Sequence, residues 1–110
     1  MTVLNLTPPY YAVIFTSTLN EVDEAYHQMN HLTANEVSNI DGFLGEEFIR
    51  DKNGFGIHIS YWKDQASIEN WKNNKLHQHA KKMGIEKWYK NYSVKICKVE
   101  KQSQKSDYEI

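Results

Sequence analysis

The order in which strand-like and helix-like segments follow one another most constrains the fold of this chain. Apolar side chains that alternate every two residues mark four segments as β-strands, and a repeat of three to four residues marks the helices. Strands are predicted at 10–16, 43–50, 55–62 and 92–100. Helices are predicted at 21–39 and at 64–84, the second one broken at Asn73-Asn74 and ended by Gly84 as a C-cap.

This β-α-β-β-α-β order is typical of a ferredoxin-like α+β domain, in which an antiparallel sheet carries both helices on one face. A chain of 110 residues has the length of one such domain. We assign the domain to residues 10–101. Residues 1–9, which end in Pro8-Pro9, are predicted to be a lead-in, and residues 102–110 a polar, frayed tail.

The sheet itself has more apolar surface than two helices can cover. The first strand places Val13 and Phe15 on one face and Ala12 and Ile14 on the other. An uncovered apolar sheet face would exceed the few hundred Å² that a soluble monomer usually exposes. The sequence therefore predicts a homodimer in which a second copy covers the remaining face.

The hairpin between the second and third strands has a strong turn signal, Asn53-Gly54. With these residues as a two-residue turn, Ile49 lies opposite His58, and Glu47 is the diagonal neighbour of His58. We interpret Glu47 and His58 as a cross-strand pair, with a catalytic proton relay as the alternative.

Composition excludes several classes of function. The net charge is −1 and Arg50 is the single arginine, which argues against a nucleic-acid-binding module. Cys97 is the single cysteine, so an internal disulfide and a cysteine-based zinc site are excluded. No apolar run approaches the roughly 20 residues that span a bilayer, and no secretory signal is recognisable, so no membrane association and a cytoplasmic location are expected.

Two pairs of histidines are candidates for chemistry. His27 and His31 are four residues apart on the solvent side of the first helix, where no third ligand is evident, so no metal site is expected. His77 and His79 point about 200° apart on a helix and cannot bind one ion together. His79 falls in an apolar stripe and is expected to be a core histidine, with a pocket acid or base as the alternative; the direction of His77 stays open.

Aromatic residues concentrate in the second half of the chain. Singly, each of them is ordinary core, but as a group they favour a cleft for a flat organic ligand. The residues of this cluster are Tyr61, Trp62, Trp71, Trp88, Tyr89 and Tyr92.

Several short stretches, taken in order, resemble the antibiotic biosynthesis monooxygenase (ABM) domain family over residues 10–101. The resemblance implies a dimeric α+β barrel and a family that includes cofactor-independent oxygenases of polycyclic phenols, haem-degrading monooxygenases and proteins without a known substrate. The stretches are Gly42-Phe43-Leu44-Gly45-Glu46-Glu47, Ser60-Tyr61-Trp62, Ile68-Glu69-Asn70-Trp71-Lys72, His77, and Trp88-Tyr89 through Tyr92 to Val99-Glu100.

For a cofactor-independent monooxygenase, the resemblance implies an aromatic cleft with His77 or His79 as the base and Trp71 shaping the cavity. The expected substrate-binding residues are Phe15, Tyr61, Trp62, Trp88 and Tyr89. The substrate expected from this reading is a small aromatic or phenolic molecule, and no cofactor is required.

Two alternatives stay open. The haem-degrading branch of the family uses an Asn, a Trp and a His; Trp71 matches the Trp, but Phe15 and Lys81 stand where the Asn and the His would be. Haem binding through His77 or His79 is therefore one alternative. The other is a dimer of the same fold that binds a small molecule, or serves in a stress response, without catalysis.

Overall fold

Four antiparallel strands form one sheet in the order β2-β3-β1-β4, with β1 and β3 in the centre. The strands are β1 (Tyr10–Leu19), β2 (Phe43–Arg50), β3 (Phe55–Trp62) and β4 (Tyr89–Val99), and the helices are α1 (Glu24–Val37), α2 (Gln65–Lys72) and α3 (Lys75–Met83). This computed structural model describes residues 4–105. Its element order and sheet confirm the predicted ferredoxin-like fold.

The junction between β1 and α1 differs from the prediction. The polar residues Ser17 and Thr18, which lie outside both the predicted strand and the predicted helix, continue β1 and pair with Tyr92 and Asn91 of β4. Asp23 caps α1 instead, because its carboxylate accepts a hydrogen bond from the main-chain N–H of Tyr26 at 3.2 Å. The strand is therefore longer, and the helix shorter, than periodicity predicts.

The β2–β3 hairpin is shifted by one residue from the predicted register. Gly54, at φ +93°, closes a three-residue turn, so Asp51 pairs with Phe55 and Phe48 lies opposite His58. The Asp51 carboxylate holds this turn by accepting hydrogen bonds from two main-chain N–H groups of the loop, at 2.9 and 3.0 Å. The predicted pairing of Ile49 with His58 is wrong.

The second helical segment breaks where the sequence predicts. Helix α2 ends at Lys72, and the side chain of Asn74 caps α3 by accepting a hydrogen bond from the main-chain N–H of His77 at 3.1 Å. Gly84 ends α3 but keeps right-handed helical angles, and a π-helical turn, Gly84–Trp88, leads directly into β4. A Cβ at Gly84 would lie 2.6 Å from the ring of Tyr89, so the close approach of this ring requires glycine.

The helices cover one face of the sheet, where Trp62 is fully buried against Val37 and Ile68. The opposite face, which we call the outer face, also carries apolar side chains, and Ile49 at its edge is 65% exposed. Both faces are therefore apolar, as predicted. In residues 4–105, no helix is long and apolar enough to cross a membrane.

The segments that precede β1 and follow β4 meet at one end of the outer face. Gln102 accepts a hydrogen bond from the Tyr10 hydroxyl and donates one to the main-chain oxygen of Leu6. The first residue of the predicted tail is thus in contact with the sheet, whereas residues 106–110 of that tail lie outside the described part of the chain.

Gly42, in the turn between α1 and β2, packs closely against Ser67 of α2, and a substitution can test this packing. Its φ is +88°, and a Cβ there would lie 1.9 Å from the Ser67 hydroxyl oxygen. We expect Gly42→Ala to lower the free energy of unfolding by about 1–3 kcal/mol, as measured by urea titration. The adjacent control Asp41→Ala, whose side chain is 95% exposed, should change it by less than about 0.5 kcal/mol. Equal effects of the two substitutions would contradict this account of the turn.

Candidate functional site

A cavity of about 620 Å³ lies between the helices and the face of the sheet that they cover. Its volume falls within the range of about 300–1,000 Å³ that is typical of pockets for small molecules. All three tryptophans of the chain line it, and most of its other lining residues are apolar. The fold thus encloses a site of the size and polarity expected for a flat organic ligand.

Six of the eight residues predicted for the site line this cavity. They are Phe15, Trp62, Trp71, His77, Trp88 and Tyr89.

Tyr61 and His79 are not among the lining residues. Tyr61 neighbours Trp62 on β3 and points to the outer face, where its hydroxyl donates a hydrogen bond to the Glu47 carboxylate at 2.6 Å. Burial, followed by this hydrogen bond, raises the pKa of Tyr61 above its ordinary value of 10.0.

His79 is exposed, so the prediction of a core histidine at this position is wrong. The side of α3 that faces the cavity contains His77, Ala80 and Lys81. His79 lies on the opposite side of the helix because it is two residues from His77, a rotation of about 200°.

The ring of His77 is held in the cavity by two contacts with Trp71. This ring stacks on the indole of Trp71, with centroids 4.5 Å apart and an interplanar angle of 9°. Nδ1 lies 3.0 Å from the main-chain oxygen of Trp71. Because a carbonyl oxygen can only accept, Nδ1 carries the proton and Nε2 of the neutral ring has a free lone pair.

Burial makes the neutral form of His77 the stable one. Desolvation lowers the pKa of this ring below its ordinary value of 6.5, against the opposing effect of the hydrogen bond to Trp71. The charge of Lys81 acts in the same direction as burial. At neutral pH, His77 therefore has a free basic nitrogen in a cavity that is mostly apolar.

His58 in the cavity has a different acidic partner from the one predicted. His58 Nε2 lies 2.8 Å from Oε2 of Glu46, whereas Glu47 is on the outer face. The one-residue shift of register is the reason, because it places Glu46 on the side of the sheet that His58 occupies. The sequence-based prediction missed Glu46 because it assumed a two-residue turn. A three-residue turn that ends at Gly54 gives the observed register and would have placed Glu46 beside His58.

Tyr89 provides a hydroxyl at the β4 side of the cavity. Burial raises the pKa of Tyr89 to about 12, so the hydroxyl keeps its proton and can donate a hydrogen bond to a ligand. Its ring packs edge-on against Phe15 at 5.2 Å.

The residues present do not fit the haem-degrading set of the family. Phe15, at the position that the resemblance assigns to the Asn, packs its apolar ring against Tyr89 and Tyr92. Lys81 is at the position that the resemblance assigns to the His, and an ammonium group is a poor ligand for iron because it has no lone pair. No reaction step through haem follows from this arrangement.

Comparison with known proteins places this chain in a family. The family model described as antibiotic biosynthesis monooxygenase matches residues 9–83. The uncharacterized protein YqjZ of Bacillus subtilis is 40% identical over 95 residues, which are 86% of this chain and 83% of that protein. Jasmonate monooxygenase ABM of Pyricularia oryzae is 31% identical over 68 residues, 58% of this chain but 31% of that longer protein.

Solved structures agree on the fold. SnoaB of Streptomyces nogalater, a cofactor-independent oxygenase, superposes with a TM-score of 0.70 at 10% identity, covering 93% of this chain and all of SnoaB. PA3566 of Pseudomonas aeruginosa superposes with a TM-score of 0.68 at 20% identity, covering 90% of this chain and all of PA3566. At these identities the superpositions establish the fold alone. With the family model matching most of the chain and a relative 40% identical along it, the protein belongs to the antibiotic biosynthesis monooxygenase family.

Proposed function

We propose that the protein is a cofactor-independent monooxygenase that oxidises a small phenolic or other aromatic molecule with O₂ in the cavity beside His77. The observation that carries this proposal is the neutral His77 ring, oriented by Trp71, with Nε2 free in a mostly apolar cavity. An apolar site with one positioned base is what an oxygenase without metal or flavin needs, because the substrate itself must supply the electrons.

The reaction proposed for an anthrone-type substrate balances without a further reductant. His77 Nε2 accepts a proton from the substrate CH₂ group, and the resulting anion passes one electron to O₂. The two radicals combine to a C–O bond, and His77 returns its proton to the peroxide. The O–O bond then breaks with loss of water, so that CH₂ becomes C=O and one atom of O₂ enters the product.

The cavity walls would support this reaction in two ways. The tryptophan and phenylalanine rings hold a planar substrate and keep water away, which strengthens electrostatic interactions inside the cavity. The protonated Tyr89 hydroxyl would donate a hydrogen bond to the oxygen on which negative charge develops.

Incubation of the purified protein with anthrone-type phenols in air and under argon tests the proposal. We expect protein-dependent formation of the quinone in air, above the rate of spontaneous oxidation, and none under argon. Equal yields in air and under argon would remove the oxygenase activity from consideration.

The pH dependence of kcat/KM tests whether His77 is the base. Burial lowers the pKa of His77, so the neutral, basic form persists as the pH falls through 6.5. We expect the rate to reach half of its maximum below pH 6.5 on the acid side, in a kcat/KM profile measured between pH 4.5 and 8. A midpoint above pH 6.5 would exclude His77 as the base.

We further propose that the protein is a homodimer formed through the outer face. Ile49 is 65% exposed there, and Ile57 and Ile59 on the adjacent strand β3 are also only partly buried. Helices α1, α2 and α3 all lie on the opposite face, so in residues 4–105 no helix covers these side chains. A second copy would bury this surface by the same contacts on both protomers.

Sedimentation velocity at micromolar concentration tests the dimer. We expect a particle of twice the 12.9 kDa chain mass, and a shift toward the chain mass in Ile49→Glu, because a buried unpaired carboxylate weakens the interface. The control Leu32→Glu places the same charge on α1, at a side chain that is 52% exposed, and should leave the dimer intact. A wild-type protein that sediments with the chain mass would contradict the dimer.

A non-catalytic binding protein is the second candidate, favoured because Phe15 and Lys81 stand where the resemblance places the Asn and the His of the haem-degrading branch. Titration of phenols or haem, followed by tryptophan fluorescence, separates the two candidates because all three tryptophans line the cavity. Binding without turnover would favour the second candidate. A Soret shift that disappears in His77→Ala would favour haem binding.

A further inference from the structure

Arg50 is a positive charge built into the wall of the cavity. It is half-buried at the end of β2, and its guanidinium lies over Gly56 of β3. A Cβ on Gly56 would lie 2.6 Å from Arg50 Cζ, so the absence of a side chain at position 56 makes this placement possible. Arg50 is also the single arginine of the chain.

The hydrogen bonds of Arg50 all go to neutral acceptors. Nη1 donates to the main-chain oxygens of Gly54, at 2.6 Å, and of Ser17, at 3.3 Å, and Nη2 donates to the Ser17 hydroxyl at 2.9 Å. Nε is shielded from solvent and has no partner among residues 4–105. These contacts fix the orientation of the guanidinium and leave one of its two Nη2 donors unused.

No carboxylate balances this charge within the described part of the chain. The ion pairs there join His58 to Glu46, Lys63 to Asp41 and Lys87 to Asp23. Glu46, the acidic residue of the cavity lining, is thus already engaged by His58, while Lys72 and Lys81 add two more cations at the rim. The lining therefore has an excess of positive charge, and a partly buried cation without a counter-charge is unfavourable.

We infer that the ligand of this cavity is an aromatic acid whose carboxylate pairs with Arg50. The unused Nη2 N–H can donate a charge-assisted hydrogen bond to a carboxylate. The ring of Phe48, 5.5 Å from Cζ, and the tryptophans provide apolar contacts for the rest of the molecule. This inference names the substrate class for the proposed function and rests on the cavity being its site.

A matched pair of probes, 9-anthracenecarboxylate and its primary amide, tests the inference by binding alone. The two molecules differ in charge but hardly in shape. In tryptophan-fluorescence titrations at pH 7, we expect the wild-type protein to bind the carboxylate about 10-fold or more tightly than the amide, as for a hydrogen bond to a charged group.

Substitution of Arg50 assigns the preference to this residue. In Arg50→Gln the ratio of the two affinities should fall to about 1, whereas Lys81→Gln, which removes another cation of the lining, should keep most of it. A wild-type protein without a preference, or a preference that survives in Arg50→Gln, would overturn the inference.

Because Arg50 also bonds the main chain of the hairpin, a second measurement avoids any substitution. Selective ¹⁵N-arginine labelling of the protein gives a single Nε–H signal from the chain. This signal should shift on addition of 9-anthracenecarboxylate and much less with the amide. An unshifted signal while fluorescence reports binding of the carboxylate would overturn the inference even if Arg50→Gln fails to fold.

Failure of this inference is distinguishable from failure of the oxygenase proposal. Carboxylate binding through Arg50 without any O₂-dependent turnover would support the inference and remove the enzymatic reaction. O₂-dependent oxidation of phenols by a protein that binds 9-anthracenecarboxylate no more tightly than its amide would support the reaction and overturn the inference.

Discussion

His77→Ala is expected to lower kcat for the oxidation about 10²–10⁴-fold, the usual contribution of a positioned general base. The reason is that Nε2 of His77 is a free basic nitrogen in the cavity. The ring is held in place because it stacks on the indole of Trp71 and because Nδ1 donates a hydrogen bond to the main-chain oxygen of Trp71. Steady-state kinetics with an anthrone-type substrate would measure the loss.

Two further variants make this prediction specific. His79→Ala changes a histidine that is exposed on the same helix two residues later, and should leave kcat within about twofold of wild type. His58→Ala removes the partner of Glu46 in the same cavity. If His58→Ala, and not His77→Ala, abolishes the activity, the base is the Glu46–His58 pair and the assignment of His77 is wrong.

Added imidazole provides a readout that a purely structural role of His77 would not give. Removal of the ring leaves space beside Trp71, and imidazole that enters it can accept the proton in place of the side chain. We expect partial recovery of the rate in His77→Ala with millimolar imidazole, and none in the wild type. Recovery by an equal concentration of a non-basic azole would argue against proton transfer.

Trp62→Ala is expected to lower the free energy of unfolding by about 3–5 kcal/mol, the range for truncation of a large buried aromatic side chain. Trp62 is 0% exposed and packs against Val37 and Ile68. Its ring also packs edge-to-face with that of Phe43, with centroids 5.3 Å apart. Its indole N–H also donates a hydrogen bond to the Ser60 hydroxyl at 2.9 Å. A total stability of about 5–15 kcal/mol is ordinary for a domain, so this loss is a large fraction of it.

Urea unfolding measures this effect, at one fixed protein concentration because the stability of the proposed dimer would depend on concentration. Leu32→Ala is the control, since its side chain on α1 is 52% exposed and should contribute less than about 0.5 kcal/mol. A loss of less than about 1 kcal/mol in Trp62→Ala would mean that the core can close around the missing ring, contrary to the packing described here.

The sequence predicts the architecture well because periodicity is a property of each segment by itself. The bounds of β2 and β3 and the break at Asn73-Asn74 match the structure. The errors lie at junctions, where tertiary pairing decides. Ser17 could cap a helix as well as extend a strand, and its partner in β4, which is 75 residues away, determines which one it does.

The sequence predicts most of the residues that form the candidate site, but not which face of the sheet or which side of the helix some of them occupy. The predicted turn, Asn53-Gly54, has two residues, whereas the observed turn has three. This difference places Glu46, and not Glu47, beside His58. Likewise, the break at Asn73-Asn74 resets the phase of α3, so its own sequence could not show that His77 faces the cavity and His79 faces solvent. The sequence shows Arg50 only as the single arginine of the chain, because its position over Gly56 follows from pairing across the hairpin.

The fate of the two atoms of O₂ is the most direct test of the proposal that this cavity carries out an oxygenase reaction. The protein, treated with a chelator and free of added reductant, is incubated with an anthrone-type phenol under ¹⁸O₂, and the product is analysed by mass spectrometry. We predict one ¹⁸O atom in each product molecule, formed faster than without protein and at the spontaneous rate with His77→Ala. A new oxygen that comes from water, or a rate that the protein does not raise, would contradict the proposal.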